Sequence, residues 1–130
     1  LLKKLIDLEL EKISAKSIQI NDVDLYFNSD DNLDEEYHIE LGNSSIINES
    51  KLIYVGLVNK GKMVKIFVFV GEKAVSKGVK AGEIVKEAAK IVGGSGGGDS
   101  RFGQGGGKNV KKIKDVKETV LHTINNAISK

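Results

Sequence analysis

Apolar residues recur at helical spacing in the first segment of the chain, on two adjacent sides of the expected helix. The two stripes are Leu1, Leu5 and Leu8, and Leu2, Ile6, Leu10 and Ile13. A short helix that packs only on its own domain needs one such stripe. The pattern therefore favours two interpretations equally: a core helix with a wide apolar face, or the end of a longer helix that also packs against a second chain.

The next segments alternate between strand and helix patterns. Residues 17–27 are rich in Ile, Val, Leu and aromatic side chains, which predicts a strand pair or one strand with a bend. Acidic residues then open a segment in which Leu33, Tyr37 and Leu41 form one helical stripe, and acids in a first turn are favourable for a helix.

The middle of the chain predicts a β-hairpin followed by helices. Residues 52–58 and 63–70 are separated by Asn-Lys-Gly-Lys, and the second strand is apolar nearly throughout, so we expect it to be central and covered on both faces. One helical face is formed by Ile84, Val85, Ala88, Ala89 and Val92, and Gly93 is placed to end that helix in the left-handed conformation. A final amphipathic helix is expected over residues 110–127.

The elements together predict an α/β (α+β) fold, with a small mixed sheet and packed helices preceded by an N-terminal helix. A length of 130 residues suits one domain. We expect residues 1–17 to be a helical segment, which is the tail of a dimerisation region if the second interpretation holds, and residues 18–130 to be the globular domain. Because the chain begins without methionine, we interpret it as a piece of a longer protein.

Charge is distributed unevenly along the chain. Residues 1–50 contain 4 lysines and 12 acids, whereas residues 51–130 contain 16 basic residues and 6 acids. A basic half suggests a polyanion as its partner. The alternative is that the lysines only solvate helix surfaces.

The stretch VGGSGGGDSRFGQGGGK, residues 92–108, contains nine of the 15 glycines and the only arginine. Its composition resembles a flexible linker, but it joins two apolar-faced helices and includes a phenylalanine. Consecutive glycines can turn backbone N–H groups toward one anion, because positive φ is freely accessible to them. A dinucleotide loop is disfavoured because the stretch follows a helix and not a strand. We therefore expect a phosphate-binding loop.

Four basic residues and two others complete this expected site. The basic residues, which can contact phosphate, are Arg101, Lys108, Lys111 and Lys112. Phe102 could stack on a base or anchor the loop in the core, and the anchor interpretation is slightly favoured. Gln104 could contact a base edge or tie the loop to itself.

Catalytic and metal chemistry have little support in the sequence. The chain has no cysteine, and His38 and His122 are far apart without partners at ligand spacing. We expect no catalytic residue, no metal site and no cofactor in this chain. No run of 18 apolar residues is present, so no membrane partner is expected, and a chain without cysteine is consistent with the cytoplasm.

The segment GGSGGGDSRFGQGGGK resembles the glycine-rich motif of the DHH-associated domain. That motif has a glycine run, three variable polar positions, a bulky apolar residue, a small residue, glutamine and further glycines. The matching positions are Gly93, Gly94, Gly96, Gly97 and Gly98, then Asp99, Ser100 and Arg101, then Phe102, Gly103, Gln104, Gly106 and Gly107. The family often has a basic residue, proline, then Asp or Asn in the variable positions, so acid and base are exchanged here.

The resemblance implies one of two kinds of parent protein, and we favour an archaeal-type alanyl-tRNA synthetase. In that family the C-terminal domain pairs subunits, contacts the outer corner of tRNA and supports aminoacylation and editing in the cytoplasm. The resemblance then implies an alanine-specific tRNA and a homodimer as partners. The expected tRNA-binding residues are Gly96, Gly97, Gly98, Arg101, Phe102, Gln104, Gly106, Gly107, Lys108, Lys111 and Lys112, and the expected dimer residues are Leu1, Leu2, Leu5, Ile6 and Leu8.

Two alternatives remain open at this point. The chain could be the substrate-binding domain of a DHH-type phosphoesterase that acts on short oligonucleotides. It could also be a dimerisation module in which the glycine stretch only packs the domain.

Overall fold

A computed structural model describes residues 2–29 and 35–129, without the side chains of residues 2–7, 14 and 129. The helices in these ranges are α1 (Leu2–Lys16), α2 (Glu35–Asn48), α3 (Glu72–Ser76), α4 (Ala81–Ile91) and α5 (Ile113–Ser129). The strands are β1 (Ile18–Ile20), β2 (Val23–Ser29), β3 (Leu52–Asn59), β4 (Val64–Val70), β5 (Ser95–Gly98) and β6 (Phe102–Gly107).

The six strands form one mixed sheet in the order β1-β2-β3-β4-β6-β5. β2 and β3 are parallel and are joined through α2, whereas the other neighbouring pairs are antiparallel. This topology confirms the predicted fold class, the strand pair over residues 17–27 and the hairpin of β3 with β4. β4 lies between β3 and β6 and is buried on both faces, as its apolar sequence predicts.

Helices α4 and α5 cover one face of the sheet. Val116, Val120 and Ile124 of α5 are buried in one cluster with alternate residues of the central strands, including Ile66 and Val68. The apolar stripe predicted for the last helix therefore faces the core. A 3₁₀ turn over Val110–Lys112 precedes α5, so the helix itself begins later than the stripe does.

Helices α1 and α2 cover the central strands on the opposite face. Ile13 of α1 and Tyr37 and Leu41 of α2 pack there with Tyr54 and Phe67 of the sheet. This confirms the predicted inner stripe of α2 at the two positions that can be checked. The third, Leu33, lies outside the described residues.

A buried chain of hydrogen bonds ties α2 to the sheet. The Tyr54 hydroxyl lies 2.9 Å from Nδ1 of His38 and accepts a hydrogen bond of 3.1 Å from Nδ2 of Asn28. Burial raises the pKa of Tyr54 well above that of an ordinary tyrosine. His38 thus has a structural position between α2, β2 and β3, in line with the expectation that it is not a metal ligand.

The glycine stretch, which the sequence predicts to be a phosphate-binding loop, is a β-hairpin, and phosphate binding by it stays a prediction. β5 and β6 pair with each other, and β6 also pairs with β4, so the stretch completes the sheet. Only Gly93 of the stretch has the positive φ of the left-handed region, at 72°, where it ends α4 as predicted. Most of the other glycines lie in β5 or β6, where the extended backbone pairs with a neighbouring strand and does not turn around one point.

Candidate nucleic-acid interface

Close contacts within the hairpin and with α4 explain why so many of its residues are glycine. A Cβ added to Gly96 would lie 2.9 Å from Cα of Gly105 and 3.2 Å from Cγ1 of Val85, and one added to Gly103 would lie 3.0 Å from the Ala81 carbonyl oxygen. Side chains on this face of the hairpin would therefore push α4 away. The hairpin consequently has one face covered by α4.

The hairpin turn is held by the side chain of Asp99. Its Oδ1 accepts hydrogen bonds of 2.9 Å from the backbone N–H groups of Arg101 and of Phe102. The Phe102 N–H and then the Arg101 N–H stabilise the carboxylate, so they lower the pKa of Asp99 below that of an ordinary aspartate. The acid that stands where the family often has a base thus organises the turn.

The carbonyl groups of the same turn are bonded to neighbouring elements. The carbonyl oxygens of Asp99 and Ser100 accept hydrogen bonds of 2.9 and 3.0 Å from the first N–H groups of α4, and the Arg101 carbonyl accepts one of 2.8 Å from Val70. Two of the free donors at the start of α4 are therefore used within the fold. The Arg101 side chain is exposed on a turn whose backbone position is fixed.

Phe102 contacts the core beside this turn. Its ring centroid lies 4.7 Å from that of Phe69, and the side chain is half-buried against the cluster under α1 and α2. This contact supports the anchor interpretation of Phe102. Contact with a nucleobase by its exposed part stays a prediction.

The other face of the hairpin is open. Gln104 pairs with Phe67 on one side and with Gly97 on the other, so these residues lie in one row across the sheet. Directly paired residues share a face, and Gly96 next to Gly97 faces α4, so Gly97 and Gln104 face away from α4. Both residues are exposed, because α2 covers β3 and β4 on this side.

The structure does not bring the expected basic residues together. Arg101 lies in the hairpin turn, whereas Lys108 follows the far end of β6, and an extended strand rises ~3.3 Å per residue. Seven residues of extended chain therefore separate them by roughly 20 Å. Lys111 and Lys112 lie in the 3₁₀ turn beyond Lys108, and Nζ of Lys112 is 3.7 Å from Oδ2 of Asp115.

Two lysines of the α4 region lie closer to the turn. Lys80 and Lys86 line a groove of about 450 Å³ between α4 and the hairpin, together with Gly82, Glu83, Gly97, Gly98, Asp99 and Ser100. Sequence reasoning missed these lysines because they are distant from the glycine stretch along the chain. The signal for Lys80 was the lysine-rich segment VSKGVKAG that leads into α4, whereas Lys86 lies within α4 itself.

α1 divides its apolar residues between two sides. Leu10 and Ile13 pack toward the core, whereas Leu8 is 56% exposed. The two predicted stripes thus differ where they can be checked. Leu1 lies outside the described residues, as do the side chains of Leu2, Leu5 and Ile6.

Within residues 2–29 and 35–129, no group of three or more His, Asp or Glu side chains is placed to hold a metal ion. No helix in those ranges is long and apolar enough to cross a membrane.

Comparison with known proteins assigns the fold to a family. The DHHA1 domain family matches residues 42–129. The chain belongs to the DHHA1 domain family, which confirms the resemblance of its glycine motif to the DHH-associated domain.

Similar curated proteins are alanine–tRNA ligases. The ligase of Nitrosopumilus maritimus is 36% identical over 119 residues, which cover 88% of this chain and 12% of the relative. The ligase of Acetivibrio thermocellus is 34% identical over 128 residues, which cover 97% of this chain and 14% of the relative. The chain thus spans about an eighth of the length of these relatives.

Solved structures share the fold at lower identity. The C-Ala domain from Aquifex aeolicus alanyl-tRNA synthetase superposes with a TM-score of 0.77 at 23% identity, covering 85% of this chain and 98% of that domain. A pGpG-specific phosphodiesterase from Vibrio gives a TM-score of 0.57 at 12% identity, covering 97% of this chain and 41% of the phosphodiesterase. At these identities, the two matches show the fold alone.

Proposed function

We propose that this chain is the C-terminal domain of an alanyl-tRNA synthetase, in which it binds the outer corner of tRNA and pairs two subunits. Its membership of the DHHA1 family and the identity of its curated relatives support this parent. The domain carries no catalytic residue or cofactor of its own in this proposal. It supports aminoacylation and editing in the cytoplasm by holding alanine-specific tRNA.

The hairpin turn is the observation that carries tRNA binding. Arg101 is the only arginine of the chain, and its exposed side chain stands on a turn whose carbonyl groups and N–H groups are bonded inside the fold. An arginine whose backbone is held in this way can donate two hydrogen bonds from its guanidinium to one phosphate with little loss of backbone entropy.

Positive charge at both ends of the hairpin suits a long phosphate backbone. Arg101 with Lys80 and Lys86 provides charge beside the turn, and Lys108 and Lys111 provide it at the opposite end. Two patches roughly 20 Å apart can contact separate phosphates of one folded RNA, since such contacts position the molecule without reading its sequence.

Binding to tRNA should therefore depend strongly on salt. Each phosphate contact releases condensed counterions, so affinity should fall as salt rises. Arg101→Ala and Lys108→Ala should each weaken binding and reduce the slope of log affinity against log salt by about 1. Lys12→Ala, on α1, is the matched control and should change neither quantity.

Gel-shift titrations of this chain with alanine tRNA at several salt concentrations measure these effects. A flat salt dependence, or equal effects of Lys12→Ala and Arg101→Ala, would remove the hairpin from the proposal. Short single strands provide the second arm of the experiment. If they compete better than folded tRNA, the chain functions instead as the substrate-binding domain of a phosphoesterase.

Pairing of subunits is proposed to use the outward side of α1. Leu8 is exposed there, while Leu10 and Ile13 occupy the inward side. The predicted contact also includes the side chains of Leu1, Leu2, Leu5 and Ile6, which lie outside the described part of the chain. Leu8→Glu should convert a dimer into a monomer, which light scattering can measure. A wild-type chain that is monomeric at high concentration would contradict this part.

A further inference from the structure

The fold itself explains fourteen of the fifteen glycines, all of which lie in the described part of the chain. Gly61, Gly78 and Gly93 have positive φ, which an L side chain rarely adopts. A Cβ on each of the others except Gly97 would lie within 3.0 Å of another atom. Glycine is therefore required by backbone conformation or by close packing at every position but one.

Gly97 is the exception. A Cβ at Gly97 would meet no atom within 4 Å, and its φ lies outside the left-handed region. Glycine in a strand interior is less stable than alanine by roughly 0.5–1 kcal/mol, because it loses more conformational freedom on folding. Stability alone would thus favour a side chain at Gly97, and nothing in the fold opposes one.

The position of Gly97 indicates which surface its lack of a side chain leaves open. It lies on the open face of the hairpin, opposite α4, and is paired with Gln104. The next pair on this face is Ser95 with Gly106, whereas Phe67 of β4 and Phe102 flank Gln104 on its other sides. The glycine main chain is therefore exposed beside one long polar side chain, and Gly97 is four residues from Arg101.

We infer that RNA rests on this surface, so that a ribose or a base edge contacts the main chain at Gly97 while the Gln104 amide hydrogen-bonds to the same nucleotide. The inference rests on the proposed function and adds the face of the hairpin that makes the contact. RNA suits this surface because a ribose or base can lie flat against glycine main chain while its polar atoms hydrogen-bond to the Gln104 amide, and Arg101 lies near enough to bind an adjacent phosphate.

Gly97→Val separates binding from folding. The valine side chain would occupy the space assigned to the nucleotide, so affinity for tRNA should fall by about tenfold or more, the result of losing one good contact. Valine favours strands, so the melting temperature should be unchanged or higher. Gln104→Ala should weaken binding by a smaller factor at unchanged melting temperature, and Lys12→Ala is the control for binding.

The possible results test the contact at Gly97 and the proposed function separately. If wild-type chain binds tRNA and folded Gly97→Val binds equally well, the contact at Gly97 is wrong while the proposed function stands. If wild-type chain binds no tRNA, the proposed function fails and this contact fails with it. If Gly97→Val lowers the melting temperature, the site is not open and the inference loses its premise; Gly97→Ala repeats that test with a smaller side chain.

Discussion

The centre of the sheet and its β5–β6 edge are built from different kinds of residue. The central strands β3 and β4 carry large buried side chains such as Tyr54, Ile66 and Phe67, whereas the hairpin of β5 and β6 is mostly glycine. α4 contacts β4, β5 and β6 alike, so one helix packs both on a strand with large side chains and on the glycine hairpin. At the central strands, apolar burial provides stability, and at the hairpin the backbones themselves come into contact.

The central strands and the hairpin also differ in what covers them. Both faces of β4 are buried, whereas the hairpin has α4 on one face only. The hairpin has few apolar side chains. It therefore contributes little apolar surface to the core, and its open face exposes no large apolar patch to water. The comparison suggests that the central strands hold the fold while the hairpin presents a surface.

Truncation at the centre should have the largest effect on stability. Ile66→Ala removes a fully buried side chain from the α4 and α5 face, and such a change costs about 2–5 kcal/mol through lost burial and a cavity. Urea unfolding followed by circular dichroism measures the loss. A cost near zero would show that the central strands do not dominate stability.

Adding a side chain to the hairpin should have the next largest effect on stability, and only on the face that packs against α4. Gly96→Val would place its side chain against Gly105 and Val85, so overpacking should cost ~1–3 kcal/mol. Gly97→Val, the same change at the next residue, should cost nothing. Equal losses of stability in the two variants would contradict the assignment of a covered face and an open face.

The turn should show the smallest effect, and it should depend on pH. The folded pKa of Asp99 is lowered, so the stability from its carboxylate is present above the ordinary aspartate pKa and is lost as pH falls through the folded value. Asp99→Ala should be slightly destabilised at neutral pH and lack this acid dependence. Asp99→Asn keeps an acceptor oxygen and should be closer to wild type at neutral pH. Thermal melts from pH 2 to 7 compare them.

Sequence patterns predicted the elements that have side-chain periodicity. The strand pair, β3, β4, α4 and α5 follow alternating or helical apolar positions, and burial on β4 follows from its nearly continuous apolar sequence. These patterns work because water selects which side of an element is apolar.

The hairpin escaped prediction because glycine has no side chain to alternate. Only Phe102 and Gln104, two positions apart around Gly103, carried a strand signal. Its strand conformation depends on pairing with β4 and on fitting under α4, which are tertiary contacts. The dependence on tertiary contacts also explains why the basic residues were wrongly expected to lie together. Arg101 and Lys108 are close in sequence, but an extended strand places them at opposite ends of the hairpin.

The most direct measurement of the central claim is a titration of isotope-labelled chain with alanine tRNA, followed by backbone amide NMR. The claim predicts that the largest shifts and line broadening occur at residues 95–107 and at the lysines that flank them, and that high salt reverses them. Shifts confined to α1 and α2, or none at concentrations where tRNA is in excess, would contradict it.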